Sequence, residues 1–230
     1  MRLLCLISKR RVAGLAGTCA LVLGGIAGAA VTAAGPAEAA TCTAVPGTAC
    51  VITGTASLGT GSLSATVPGS LTWSATLTGV GQDVVDMTAA DQGYVVDDAT
   101  GSGDGWNVTT SATTFSTGGG TPKTLADTGT FSTTGSITSA TATTSPSQAC
   151  TSTGDCTLPA NSTTYPVAIT TASSPSAFTI YNAASGTGIG SVNIGGSGAM
   201  NPVGWWIHVP GTTAPGTYTS TITINVLSGP

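Results

Sequence analysis

Residues Gly216 to Pro230 alternate polar and apolar positions so regularly that a strand with one buried face follows directly. Tyr218, Ser220, Ile222, Ile224 and Val226 fall on one side; Thr217, Thr219, Thr221, Thr223 and Asn225 fall on the other. Upstream, Trp205 to Val209 alternates too, and Pro210, Gly211, Pro215 and Gly216 supply turn residues that would lay the two stretches side by side as a closing hairpin. A second hairpin is predicted earlier in the chain. There Leu63, Ala65 and Val67 alternate with hydroxyl residues, Pro68-Gly69 turns the chain, and Leu71, Trp73, Ala75 and Leu77 resume the alternation.

Between these ends, Tyr94 to Val96 reads as a central strand flanked by solvated acidic loops, and Gly101 to Gly105 as a flexible turn delivering Trp106, Val108 and Thr110 to one face. Residues 110–157 are nearly low-complexity Thr, Ser, Ala and Gly, with Phe115, Leu125, Phe131 and Ile137 as sparse anchors for short strands and long loops. Val167 with Ile169, Phe178 with Ile180, and Val192 with Ile194 mark three further strands. No helical period is sustained over three turns after residue 39. The expectation is an all-β fold: an antiparallel β-sandwich or barrel-like single domain of roughly ten strands.

Three blocks then carry a resemblance. Asn182 to Gly190 (Asn-Ala-Ala-Ser-Gly-Thr-Gly-Ile-Gly), Val209 to Thr223 and Asp97 to Val108 resemble blocks of the WxL-domain proteins, and they keep the order of that family along the chain. The similarity covers roughly Gly54 to Pro230. It implies a surface protein of Gram-positive bacteria that binds the cell wall non-covalently, through peptidoglycan or another wall glycan, with other surface proteins as further partners. The family's first Trp-x-Leu stands here as Trp106-Asn107-Val108; the second stands as Ile224-Asn225-Val226, without a tryptophan. Trp205, Trp206 and Tyr218 are the neighbouring aromatic candidates for the missing binding surface.

The N-terminus agrees with export. Arg2, Lys9, Arg10 and Arg11 form a basic region, Val12 to Val31 is apolar, and Ala37-Glu38-Ala39 is a cleavage signature, so residues 1–39 read as a signal peptide and residues 40–230 as the WxL-like β domain. Arg10-Arg11 leaves the twin-arginine route open beside the general one. A retained anchor is disfavoured because Gly and Ala dilute the apolar run, so no membrane association is expected after cleavage. Cleavage would leave Lys123 against eight carboxylates, a net charge of −7, which disfavours nucleic acid and direct attraction to anionic polymers. Only 6% of residues are charged, so exposed strand faces must be wetted by hydroxyl groups. A disordered Ser/Thr stalk is the rival reading, and a mean hydropathy of +0.34 argues against it.

Four cysteines remain after cleavage, Cys42, Cys50, Cys150 and Cys156, an even number in an exported chain. Of the three connectivities, the two local bridges Cys42 to Cys50 and Cys150 to Cys156 each close a short loop and are favoured. A zinc site is the weaker alternative, since the chain has one histidine and no C-x-x-C.

Catalytic inventory is thin: His208 lies on a strand beside Trp206, no nucleophile elbow is present, and the acids are scattered. Asp97, Asp98 and Asp104 could hold calcium, although a solvated acidic loop fits their spacing better. No cofactor is expected and no enzyme activity. An indole face stacks on the apolar face of a sugar, so Trp106, Trp205 and Trp206 are the binding candidates, each weighed against a place in the core. Because Trp205 and Trp206 point to opposite faces, at least one should be accessible. The sequence therefore supports a secreted, wall-associated surface protein, with a structural or adhesive β protein acting through protein partners as the alternative.

Overall fold

The computed structural model describes residue 46, residues 54–152 and residues 155–230. The signal peptide, its cleavage site and the proposed Cys42 to Cys50 bridge lie outside the described residues. Ala56–Pro230 forms one compact unit. Among the described residues, no helix is long and apolar enough to cross a membrane.

Among the described residues, eleven strands and a single 3-10 turn, Ala89–Asp91, make the fold all-β. The strands are β1 Leu63–Thr66, β2 Gln82–Val85, β3 Gly93–Asp98, β4 Trp106–Ala112, β5 Phe131–Thr134, β6 Gln148–Cys150, β7 Val167–Ile169, β8 Phe178–Ala183, β9 Gly190–Gly195, β10 Gly204–Val209 and β11 Ile222–Ser228. They form three antiparallel sheets, ordered β1-β3-β9-β6, β2-β10-β5-β7 and β11-β4-β8, in a sandwich-like arrangement. The predicted sidedness holds where it was clearest. Tyr94 and Val96 are buried on a central strand, as are Val192 and Ile194 beside them. Along β11, Ile222, Ile224 and Val226 pack on the core while Thr223 and Asn225 are exposed.

Both predicted hairpins are corrected. β10 does not pair with the C-terminal strand: it lies between β2 and β5, with Trp206 opposite Val85 on one side and Ser132 on the other. Both of its edges are thereby taken, and β11 pairs with β4 instead, Ile224 facing Thr110. Likewise β1 pairs with β3, Leu63 opposite Asp98, and residues 71–77 form no strand. That stretch is held by side chains. The Asp86 carboxylate accepts the Thr72 N–H at 2.7 Å and the Thr88 N–H at 2.8 Å, and the Trp73 indole N–H donates to the Trp205 carbonyl at 3.0 Å. Alternation alone could not tell an extended segment tethered in this way from a laddered strand.

The core gathers around four aromatic rings. Trp73 meets Phe115 and Phe131 edge-on at 5.8 and 5.9 Å, and Phe131 stacks on Trp205 at 6.1 Å with an interplanar angle of 18°. Such contacts add about 1 kcal/mol each beyond the area buried. Thus Phe115 and Phe131, isolated in a run of Thr and Ser, are the anchors that the low-complexity stretch needs, whereas Ile137 remains half-exposed.

Cys150 and Cys156 form a disulfide with Cα atoms 5.5 Å apart, tying the end of β6 to the bridge that Cys156 makes with Gly190 on β9. Its closed loop is short, so the restriction it places on the unfolded chain is modest. Replacing both cysteines by serine is expected to lower stability by about 2 kcal/mol in urea denaturation, with the m-value nearly unchanged.

Candidate functional site

Trp106 opens β4, and every atom of it is buried. Its ring lies 6.1 Å from that of Tyr181, the planes 24° apart, and its indole N–H donates to the Gly188 carbonyl at 2.8 Å. Gly188 is required there. Its φ is +72°, and a Cβ would sit 2.6 Å from the indole nitrogen. Val108, two residues on, is also fully buried. Asn107 points away from the core, and its amide donates to the Gly229 carbonyl, fastening the C-terminus to β4. The Trp106-Asn107-Val108 stretch is therefore packing and fastening and presents no indole face, which corrects the expectation of an aromatic surface at Trp106.

The same holds for β10. Trp205 is 1% exposed and Trp206 6%, so the accessible indole expected at this pair is absent. Their side chains do point to opposite faces, but both faces are covered. The Trp205 indole donates to the Asp91 carbonyl at 3.0 Å, and the Trp206 indole to the Ser136 carbonyl at 2.9 Å, under the chain that follows β5. Gly204 allows that approach, because any Cβ there would collide with the Ser136 carbonyl. His208 is exposed and hydrogen-bonds through Nδ1 to Asp83 at 2.7 Å, a surface pair across β10 and β2.

The acidic loop is also spoken for in part. Asp98 is buried, and its Oδ1 accepts the Thr100 N–H at 3.0 Å and the Thr100 hydroxyl at 2.6 Å. Among the described residues, no three His, Cys, Asp or Glu side chains come together as a metal would require.

What the structure does offer is a groove of about 1070 Å³ between residues 67–77 and residues 213–224. Its floor includes Phe115, Leu125, Ile207 and Val209, and its walls carry Leu71, Trp73, Ile222 and Ile224 among serines and threonines. Tyr218 is half-buried at one end, its hydroxyl donating to the Ala214 carbonyl at 2.9 Å. Of the sequence candidates, only Tyr218 lines this recess. No carboxylate, amine, imidazole or thiol is among the lining side chains, so it can bind but has no acid, base or nucleophile stronger than a hydroxyl. Alternation pairs Leu71 to Leu77 with its neighbour, which hides the recess from sequence reasoning. The signal was the Pro68-Gly69 turn followed by an alternating stretch with a half-covered Trp73.

Beneath one wall, the buried pair Asp86 and Asp91 sets a charge constraint. Burial, and then the Asp86 carboxylate beside it, raises the Asp91 carboxyl above the ordinary 3.8. A raised carboxyl holds its proton longer folded than unfolded, so its ionisation costs stability as pH rises from 3.8 through the folded value. Asp91→Asn should accordingly be more stable than the parent at pH 7, with the difference vanishing in melts below pH 3.8. For the tryptophan motif, Trp106→Ala should cost about 3 to 5 kcal/mol in chemical denaturation. Gly188→Ala should also be destabilised, since it crowds the same ring. No family model matches this chain, and no curated protein and no solved structure matches it.

Proposed function

We propose that this chain is an exported, non-catalytic surface domain held non-covalently at the bacterial cell wall, with the groove rather than the tryptophan motif as its contact surface. The observation that carries the reading is the groove itself: an open recess whose walls mix half-covered apolar side chains with hydroxyl groups and hold no charge. Apolar surface left half-covered in this way gains from an occupant, while the hydroxyl rim keeps it wetted without one. The basic and apolar N-terminal stretch, the cleavage signature and the three blocks resembling WxL-domain proteins support export and a wall location. Nothing in the groove can act on a ligand as acid, base or metal centre, which supports binding without turnover.

The reading has a direct test in sedimentation with purified peptidoglycan. The mature protein should pellet with the wall, and raising salt from low to about 1 M should not release it, because a groove without charge has no ionic attraction to screen. Leu71→Asp should lower the pelleted fraction at least tenfold while its melting curve still shows a cooperative transition. Trp106→Ala should lose binding only in proportion to the fraction unfolded. Release by moderate salt, or full binding by Leu71→Asp, would overturn the assignment.

A further inference from the structure

The groove is bordered by unpaired backbone as well as by apolar side chains. Thr113 donates its N–H to the Thr221 carbonyl, and Gly229 donates its N–H to the Gly105 carbonyl, each at 3.0 Å. In an antiparallel ladder the residues that exchange both bonds recur every second position. With Thr223 opposite Ser111 and Asn225 opposite Thr109, the odd-numbered residues of β11 therefore turn their backbone groups toward β4. The N–H and C=O groups of Ile222, Ile224 and Val226 point the other way, off the free edge of the sheet. Across the groove, residues 67–77 form no backbone-to-backbone hydrogen bond among the described residues. Only the Thr72 N–H and the Thr76 carbonyl are engaged there, by the side chains of Asp86 and Gln82.

Edges of this kind are normally shortened, covered, or guarded by charge or proline. The free edges of β1, β2, β6 and β7 are three or four residues long. On β8, the outer edge is covered: Asn182 donates its N–H to the Asn161 side chain and Ala184 donates to the Ala160 carbonyl. Beside β11, β1 packs without a ladder hydrogen bond, and Ile222 and Ile224 line the open groove. β11 runs for seven residues, Ile-Thr-Ile-Asn-Val-Leu-Ser, without a charge or a proline, and Leu227 on its solvent side is 54% exposed.

We propose that the groove is a strand-addition site, taking an extended, uncharged segment of a partner polypeptide whose backbone pairs with the outward N–H and C=O groups of Ile222 and Ile224. Alternating donors and acceptors along β11 repeat every two residues, about 6.8 Å, which is the repeat of another strand. Side chains pointing inward would cover the half-buried faces of Leu71, Trp73 and Ile224, so small and β-branched apolar residues suit those positions. Those pointing outward would meet the hydroxyl rim. A charged side chain turned inward would lose hydration with no counter-charge to meet it, so the segment must be neutral on that face. This inference rests on the groove being the contact surface, but not on the wall being what is contacted.

The test uses a synthetic peptide of the chain's own residues 221–228 as a neutral strand probe, with amide hydrogen exchange of the folded protein followed by NMR. Without peptide, the Ile222 and Ile224 amides should exchange fast while those of Thr223 and Asn225 are slow. At saturation the two fast amides should slow at least tenfold, and the alternation should disappear. The same peptide N-methylated at alternate residues should produce no slowing. Wall sedimentation is scored on the same preparation. Protection of the two amides supports strand addition whether or not the protein pellets. Pelleting with the two amides still fast overturns strand addition and leaves wall binding standing. Absence of peptide binding at about 1 mM overturns it as well.

Discussion

Two large indoles on successive residues of one strand oblige that strand to be covered on both faces, and much of this domain is arranged to do so. Trp205 takes the central face, against Phe131, and its carbonyl accepts both the Asp86 N–H and the Trp73 indole. Trp206 takes the other, beneath the chain that leaves β5. From this follow the central position of β10 with neighbours on both edges, the close backbone approach at Gly204, and the anchoring of residues 71–77 by side chains. The groove is what remains where that anchored stretch fails to reach β11.

A chain with so few charges must meet water through hydroxyl groups, and the structure shows how these are spent. Thr100, Thr134 and Ser136 each take part in short local hydrogen bonds that close turns. Ser and Thr compete well for nearby backbone groups, which makes them good at fixing irregular loops and poor at extending ladders. Hence the long Thr/Ser-rich middle of the chain is ordered yet contributes only two short strands between residues 113 and 152.

The strands legible in the sequence were those in which burial on one face is continuous, as in β3, β9 and β11, where a period of two survives in the side chains themselves. Pairing was less legible. Which strand lies beside which depends on contacts more than a hundred residues apart, such as Thr110 with Ile224, and no local turn specifies them. For the site, the tryptophans announced themselves by size and by the motif they stand in, yet size is equally what a core needs. Trp106 and Trp205 satisfy their indole N–H groups on backbone carbonyls that only the folded chain brings near. Tyr218 was visible as a candidate and does line the groove. Its companions Leu71, Ile222 and Ile224 looked like ordinary inward-facing strand residues, because half-covered and fully covered positions follow the same alternation.

The pairing of β4 with β11 has a consequence for the order of events in the life of the chain. Trp106 stands opposite Ser228, so the sheet that holds the tryptophan motif is incomplete until residues 222–228 have emerged. Contacts so distant in sequence close large loops before they repay the entropy, and domains built from them fold slowly. A chain emerging N-terminus first therefore keeps the partner edge of β4 open during synthesis, and the domain closes as a unit only once β11 is available.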